Sequence, residues 1–246
     1  EFRRVLFRSK GQSNSLMVAG MVMVGSILTA KSPLKMTDTV PIARLTGEFE
    51  ALVVPAASPF KDAKDFAAAL KADPAKVPIA GGSAGGTDHI LAGLIAKSVG
   101  VPATKVGYVA FSGGGQALAA LLGNQVAAGI SGYAEFAEQI KAGKLRLLAM
   151  SSDKRVPGID APTLKEQGID VELANWRGVF APPGVSDAQR AAMSALIEKM
   201  AASPQWKEEC EKRDWIQITM MGDAYKAYIE SEFARIGDIL KDLGLA

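Results

Sequence analysis

A short apolar strand, a turn of small residues and an amphipathic helix follow one another three times in the middle of the chain. Strands that alternate with helices require crossover connections, which are right-handed, so this pattern predicts a mainly parallel sheet covered by helices on both faces. The turns of such a sheet lie at the carboxyl ends of its strands, where ligands bind. The three units are Val77–Ala80 with Gly81–Gly86 and a helix from about Thr87; Val106–Phe111 with Ser112–Gly115 and Gln116–Leu122; and Val126–Ile130 with Ser131–Gly132 and Tyr133–Ala142.

The segments on either side of this region predict further elements. Apolar runs indicate strands at 51–54, closed by Pro55, and at 145–150 and 176–181, and a helix is expected at about 63–72. After Pro157 the chain becomes more helical. Ser186 with Gln189 matches a capping box that opens one helix, Ser203-Pro204 caps the next, and a third runs from Asp223 to about Leu243. An α/β middle followed by a helical end predicts an α/β protein of two lobes.

Composition excludes several classes of function. The 246 residues carry 28 Lys and Arg against 26 Asp and Glu, with both signs scattered, so no basic surface for nucleic acid is predicted. One Cys cannot form an internal disulfide, and with a single His it cannot build a zinc cluster. We therefore expect no metal and no cofactor, and the lone His leaves little scope for catalysis.

The N-terminus allows two interpretations. Basic residues before the apolar run 16–28 have the pattern of a secretory signal peptide. Residues 1–9, however, can be back-translated as sequencing-adapter DNA. The favoured hypothesis is that residues 1–9 are a non-native artefact, that 16–28 is an internal buried segment, and that the true signal lies upstream.

The run Gly81-Gly82-Ser83-Ala84-Gly85 matches G-x-S-x-G on a strand-turn-helix, which raises the hypothesis of a serine esterase. That fold supplies its His late in the chain, whereas His89 stands six residues after Ser83. Ser83 would lack a base, and the esterase is disfavoured.

Backbone chemistry favours a different use of the same turn. A Gly-rich turn lets successive N–H groups point into one concavity, and the helix that follows adds unpaired amides and the positive end of its dipole. Such a turn suits a small anion, and Ser83 and Thr87 add hydroxyl donors. Asp88 is expected to complement the helix N-terminus and His89 to pack within its helix.

Several segments together resemble the substrate-binding proteins of tripartite tricarboxylate transporters, the Bug family. The likeness runs in family order from about Gly11 to Ala246. The segments are Gly81–His89, Phe111–Gly115, Ile130–Tyr133, Pro162–Gly168 and Trp176–Gly184.

The resemblance implies a periplasmic receptor that is not an enzyme. It implies a two-lobed periplasmic-binding-protein fold of type II, with parallel-rich sheets, that closes on a small di- or tricarboxylate and delivers it to the membrane components of the transporter. We expect a monomer. Lobe 1 is assigned to 10–53 plus 179–246 and lobe 2 to 54–178. The family's Pro-Gly-Gly turn after the first strand has no counterpart here, so lobe 1 is expected to be incomplete.

The resemblance also carries ligand-binding roles to individual residues. An amino-acid receptor of the same fold stays open as an alternative, with Asp88 or Glu135 facing the ligand ammonium. The ligand-binding residues implied are Ser83, Ala84, Gly85, Gly86, Thr87, Ser112, Ser131 and Tyr133.

Overall fold

The computed structural model describes residues 8–246. The prediction for residues 1–9 therefore falls largely on residues 1–7, which lie outside the described residues. The strands are β1 Met17–Gly20, β2 Val40–Pro55, β3 Ile79–Gly81, β4 Tyr108–Ala110, β5 Ala128–Gly132, β6 Leu145–Met150, β7 Ala174–Ala181 and β8 Ile216–Met221. The helices are α1 Met21–Thr29, α2 Ala63–Ala72, α3 Thr87–Ser98, α4 Gly114–Leu122, α5 Tyr133–Lys141, α6 Asp187–Ala201, α7 Pro204–Lys212 and α8 Gly222–Asp242.

The chain divides into two compact units. Unit 1 takes the described part of Glu1–Glu48 together with Asn175–Gly237, and unit 2 takes Phe49–Ala174 with Asp238–Ala246. The boundaries, after 48 and after 174, thus lie five and four residues before the expected positions at 53 and 178. The final nine residues also join unit 2, whereas the sequence assigned them to lobe 1. Contacts with α3 explain this placement, since Lys97 pairs with Asp242 at 2.5 Å and Leu243 lies against Gly93.

Unit 2 contains the predicted parallel strands. β3 pairs in parallel with β4, with Ile79 opposite Tyr108, and in parallel with β5, with Ile79 opposite Ala128. The end of β2 runs antiparallel to both β5 and β6. Apolar side chains from this sheet and its helices form the core, among them Val53, Ala80, Leu121, Phe136 and Met150.

Unit 1 departs from the mainly parallel expectation. β1 runs antiparallel to β7, from Met17 opposite Phe180 to Gly20 opposite Arg177, and β8 runs antiparallel to the start of β2. These strands are not joined to their partners by single crossover helices, so the repeating pattern of unit 2 did not apply to them. The segment 16–28 forms β1 and most of α1, with Met21, Val24 and Ile27 buried.

A buried polar contact joins β7 to α8 in unit 1. Trp176 Nε1 donates to Glu232 Oε2 at 2.9 Å, and Arg235 Nε donates to the other carboxylate oxygen at 3.0 Å. Glu232 is therefore buried with donors for both oxygens, as a charge inside a protein requires.

Candidate functional site

Three turns meet at one edge of the unit 2 sheet. β3, β4 and β5 are parallel, so their carboxyl ends lie at the same edge, and α3, α4 and α5 start there. This is the edge at which open α/β sheets bind ligands. The predicted residues occupy these turns: Ser83–Gly86 precede α3, Thr87 opens α3, Ser112 lies between β4 and α4, Ser131 is near the end of β5, and Tyr133 opens α5.

The turn between β3 and α3 is held by its own backbone amides. Gly82 N–H donates to Asp88 Oδ2 at 2.6 Å, Gly85 N–H donates to His89 Nδ1 at 3.1 Å, and Gly86 N–H donates to Ser83 O at 2.9 Å. Gly85 has a φ of +73°, a left-handed conformation that a side chain disfavours. The amides of Gly85 and Gly86 thus have acceptors within the protein, which the sequence did not reveal.

Exposure separates the predicted residues into two groups. Ser83, Ala84 and Ser112 are exposed, while Gly85, Gly86, Thr87 and Ser131 are buried and Tyr133 is half-buried. Thr87 is 3% exposed, and its hydroxyl has no hydrogen-bond partner among the residues that the structure describes. A buried hydroxyl without a partner loses its hydrogen bonds to water, so Thr87 Oγ1 is a candidate donor to a ligand.

Two carboxylates lie at the same edge. Asp88 is half-buried on the first turn of α3, and Glu135 is exposed on the first turn of α5. Ser131 Oγ donates to Glu135 Oε2 at 2.5 Å. Burial raises the pKa of Asp88 to about 6; the hydrogen bond from Gly82 opposes this rise and the charge of Glu135 adds to it.

His89 and Tyr108 form an aromatic pair that contacts the turn between β3 and α3. The rings of His89 and Tyr108 stack with centroids 4.0 Å apart, and Tyr108 Oη donates to Gly82 O at 2.8 Å. Burial lowers the pKa of His89 to about 4, so the ring is neutral near pH 7 and its Nδ1 can accept the Gly85 N–H. His89 therefore packs within the site, and its ring nitrogen accepts a hydrogen bond from Gly85 of the turn rather than from Ser83.

Sequence reasoning missed Tyr108 and Glu50. Glu50 is 1% exposed on β2 opposite Gly132, and its backbone N–H donates to Ser151 Oγ at 2.9 Å. A carboxylate inside the apolar run 49–54 was a signal that could have drawn attention to Glu50. Tyr108 carried no such signal, because its partners come from α3 and the turn before it.

Among the described residues there is neither a helix suited to span a membrane nor a group of side chains suited to hold a metal ion. No helix of residues 8–246 combines the length and the apolar character that crossing a membrane requires. Nor do the His, Cys, Asp and Glu side chains of this range gather in a group of three or more suited to a metal ion.

Comparison with known families shows to which family the chain with these turns belongs. The sequence model of the tripartite tricarboxylate transporter family receptor, TctC, matches residues 15–245. The chain belongs to this family. The resemblance drawn from the motifs is thereby confirmed, and the matched region includes the segment 16–28.

One curated relative matches most of the chain. The UPF0065 protein in the gbd 5′ region of Cupriavidus necator is 29% identical over 206 residues, which are 83% of this chain and 62% of that protein. The chain thus spans about three fifths of the length of this curated relative.

Solved structures show the fold. A TctC solute binding protein from Polaromonas, without ligand, has a TM-score of 0.82 at 24% identity, covering 98% of this chain and 82% of that one. MatC from Rhodopseudomonas palustris with bound malate has a TM-score of 0.74 at 21% identity, covering 96% and 82%. The mixed α/β periplasmic-binding-protein fold is therefore confirmed.

Proposed function

We propose that the protein is a solute receptor that binds a small carboxylate, of the di- or tricarboxylate type, without transforming it. The observation that carries the proposal is that three turns, each opening a helix, lie at one edge of the unit 2 sheet in a chain that belongs to the TctC family. MatC, which shares the fold, is described with bound malate. Ser83, Ala84, Gly85, Gly86, Thr87, Ser112, Ser131 and Tyr133 are the proposed ligand-binding residues.

The remaining parts of the proposal come from the family. The receptor would act as a monomer in the periplasm, capture its ligand by lobe closure, and hand it to the membrane components of a tripartite tricarboxylate transporter. Its family name supports the transporter as partner. No cofactor enters the proposal, since reversible binding needs none.

A matched pair of glycine variants tests the binding turn. Gly85→Val puts a β-branched side chain at a φ of +73° inside the turn, and Gly143→Val does the same at a φ of +68° just after α5, beyond the end of that helix that is opposite to the turns. Both should lower stability by about 1–3 kcal/mol. Only Gly85→Val should abolish the thermal shift that L-malate and other dicarboxylates produce in the wild-type protein.

Two results would contradict the proposal. The first is a Gly85→Val protein that is folded and keeps wild-type affinity for dicarboxylates. The second is hydrolysis of an activated ester that disappears in Ser83→Ala, because this would favour the serine esterase instead. The packing of His89 on Tyr108 and its bond to Gly85 support the receptor.

A further inference from the structure

A fourth turn lies at the edge of the unit 2 sheet where the three predicted turns meet. β5 and β6 both run antiparallel to β2, so they run in the same direction as each other, and β5 is parallel to β3. The carboxyl end of β6 therefore lies at the same edge as the carboxyl ends of β3 and β5. The residues that follow β6 at this edge are Ser151 and Ser152.

The register of β2 places this fourth turn near the proposed ligand-binding residues. Ala51 lies opposite Ser131 of β5 on one side and opposite Met150 of β6 on the other. Ser131 and Met150 are thus two strand spacings apart, which is about 10 Å. Ser152 follows Met150 by two residues, so it lies across β2 from the turn that opens α5.

Ser151 and Ser152 are both buried, but their hydroxyls differ in hydrogen bonding. Ser151 Oγ donates to Leu173 O at 2.6 Å and accepts from Glu50 N–H at 2.9 Å. Ser152 is 1% exposed, and its Oγ has no hydrogen-bond partner within residues 8–246. A buried hydroxyl that has lost its bonds to water without gaining others costs free energy. Ser152 shares this property with Thr87.

Two buried hydroxyls without partners in the described part of the chain thus lie at one edge of the unit 2 sheet. Thr87 follows β3 and Ser152 follows β6, with β5 and β2 between these strands. The three strand spacings from β3 to β6 amount to about 14 Å. One hydrogen bond of about 2.7 Å to each hydroxyl takes up part of this span, so a ligand that reaches both must place two acceptors about 9 Å apart.

We propose that Ser152 is a ligand-binding residue that determines the length of the acid the receptor accepts. Its hydroxyl donates to one carboxylate of the ligand while the other carboxylate accepts from Thr87 Oγ1. This inference rests on the proposed function, and it narrows the substrate class to extended dicarboxylates. The carboxylates of adipate reach the required separation in the extended form, whereas those of succinate are too close together. A charged acceptor also makes each hydrogen bond stronger than a neutral one would.

Three acids test the proposed span by titration calorimetry. Succinate is a short diacid, adipate is an extended diacid, and hexanoate has the chain length of adipate with a single carboxylate. Wild type should bind adipate at least about tenfold more tightly than either of the others, as expected for one charge-assisted hydrogen bond. In Ser152→Ala the affinity for adipate should fall about tenfold or more, while the affinities for succinate and hexanoate change less than about threefold.

Ser151→Ala is the matched control, because Ser151 is the adjacent serine and its hydroxyl bonds within the protein. Without ligand, Ser151→Ala should lower the melting temperature, since Glu50 N–H and Leu173 O lose their partner. Its preference for adipate over succinate should remain that of wild type. Ser152→Ala should instead leave the melting temperature unchanged or raise it, since the hydroxyl removed has no partner. Ser152→Cys, with a weaker donor, serves as the second test should Ser152→Ala not fold.

The inference and the proposed function can fail separately. Wild-type binding of adipate no tighter than that of succinate overturns the inference and leaves the receptor function standing. An affinity for adipate that Ser152→Ala leaves unchanged, or a loss by the same factor for all three acids, does so as well. Wild-type protein that binds none of these acids, nor L-malate, rejects the proposed function and the inference with it.

Discussion

Asp88 and His89 are neighbours whose pKa values move in opposite directions for the same physical reason. Burial disfavours the charged form of each side chain, so the pKa of the Asp88 carboxyl rises from 3.8 to about 6 while the pKa of the His89 imidazole falls from 6.5 to about 4. Both groups are thereby kept neutral between about pH 4 and 6. This suits a turn in which Gly85 donates to the unprotonated His89 Nδ1.

The two residues should make opposite contributions to the pH dependence of stability. Below pH 6.5 the unfolded chain protonates His89 and the folded chain does not until about pH 4, so His89 lowers the free energy of unfolding as pH falls. Between about pH 6 and 3.8 the folded chain holds a proton on Asp88 that the unfolded chain has lost. Asp88 therefore raises the free energy of unfolding as pH falls through that range.

Single variants should separate these contributions. Compared with wild type, Asp88→Asn should lose stability more steeply from pH 6.5 to 4, and His89→Gln less steeply, in urea unfolding curves recorded across that range. Other acidic groups contribute equally to all three proteins, so only the differences matter. Parallel curves for the two variants would show that the pKa values of Asp88 and His89 are not displaced in this way.

At the scale of elements, local sequence signals predicted most of the secondary structure. The Ser186–Gln189 capping box is confirmed, with Gln189 N–H donating to Ser186 Oγ at 3.3 Å and Ser186 N–H donating back to Gln189 Oε1 at 2.8 Å. α2 and β6 have the predicted bounds. These elements depend on capping and periodicity, which are properties of neighbouring residues.

Local signals did not predict the start of α4 correctly. A helix was expected from Gln116, because glycine disfavours helices, yet α4 begins at Gly114. A glycine stands at the start of α4 because side chains of α5 and β5 lie very close to it. A Cβ on Gly114 would lie 1.4 Å from Glu135 Oε2 and 2.6 Å from Ser131 Oγ. The hydrogen bond between Gly82 and Asp88 and the packing of Tyr108 on His89 were likewise not predicted from neighbouring residues. Such contacts depend on how helices and strands pack against one another.

Adjacent glycines in α4 provide a test of this close approach. Gly114→Ala should displace the end of the Glu135 side chain and break its bond with Ser131, with a loss of about 0.5–1.5 kcal/mol, as for one hydrogen bond. A Cβ on Gly115 meets nothing within 4 Å, so Gly115→Ala should stabilise the helix by about 0.5–1 kcal/mol. Chemical denaturation measures both, and equal effects of the two substitutions would contradict the predicted approach of α4 to Glu135.

At the scale of the whole molecule, the division of the chain does not follow the boundaries of its elements. α8 is continuous from Gly222 to Asp242, yet its residues up to Gly237 belong to unit 1 and its last turn to unit 2. Periodicity along an unbroken helix does not state which neighbours each half contacts. The assignment of 179–246 to a single lobe therefore had no local signal to correct it.

The side chain of Leu243, near the end of the chain, covers Gly93 on α3. A Cβ placed on Gly93 would lie 3.1–3.2 Å from the end of the Leu243 side chain. Leu243→Ala should cost about 1–2 kcal/mol, less than for a fully buried leucine. Leu196→Ala, at a side chain 62% exposed on α6, is the matched control and should stay within about 0.5 kcal/mol. Amide hydrogen exchange should show the loss of protection in α3 of unit 2. If α6 of unit 1 loses protection instead while α3 is unchanged, the chain end does not stabilise unit 2.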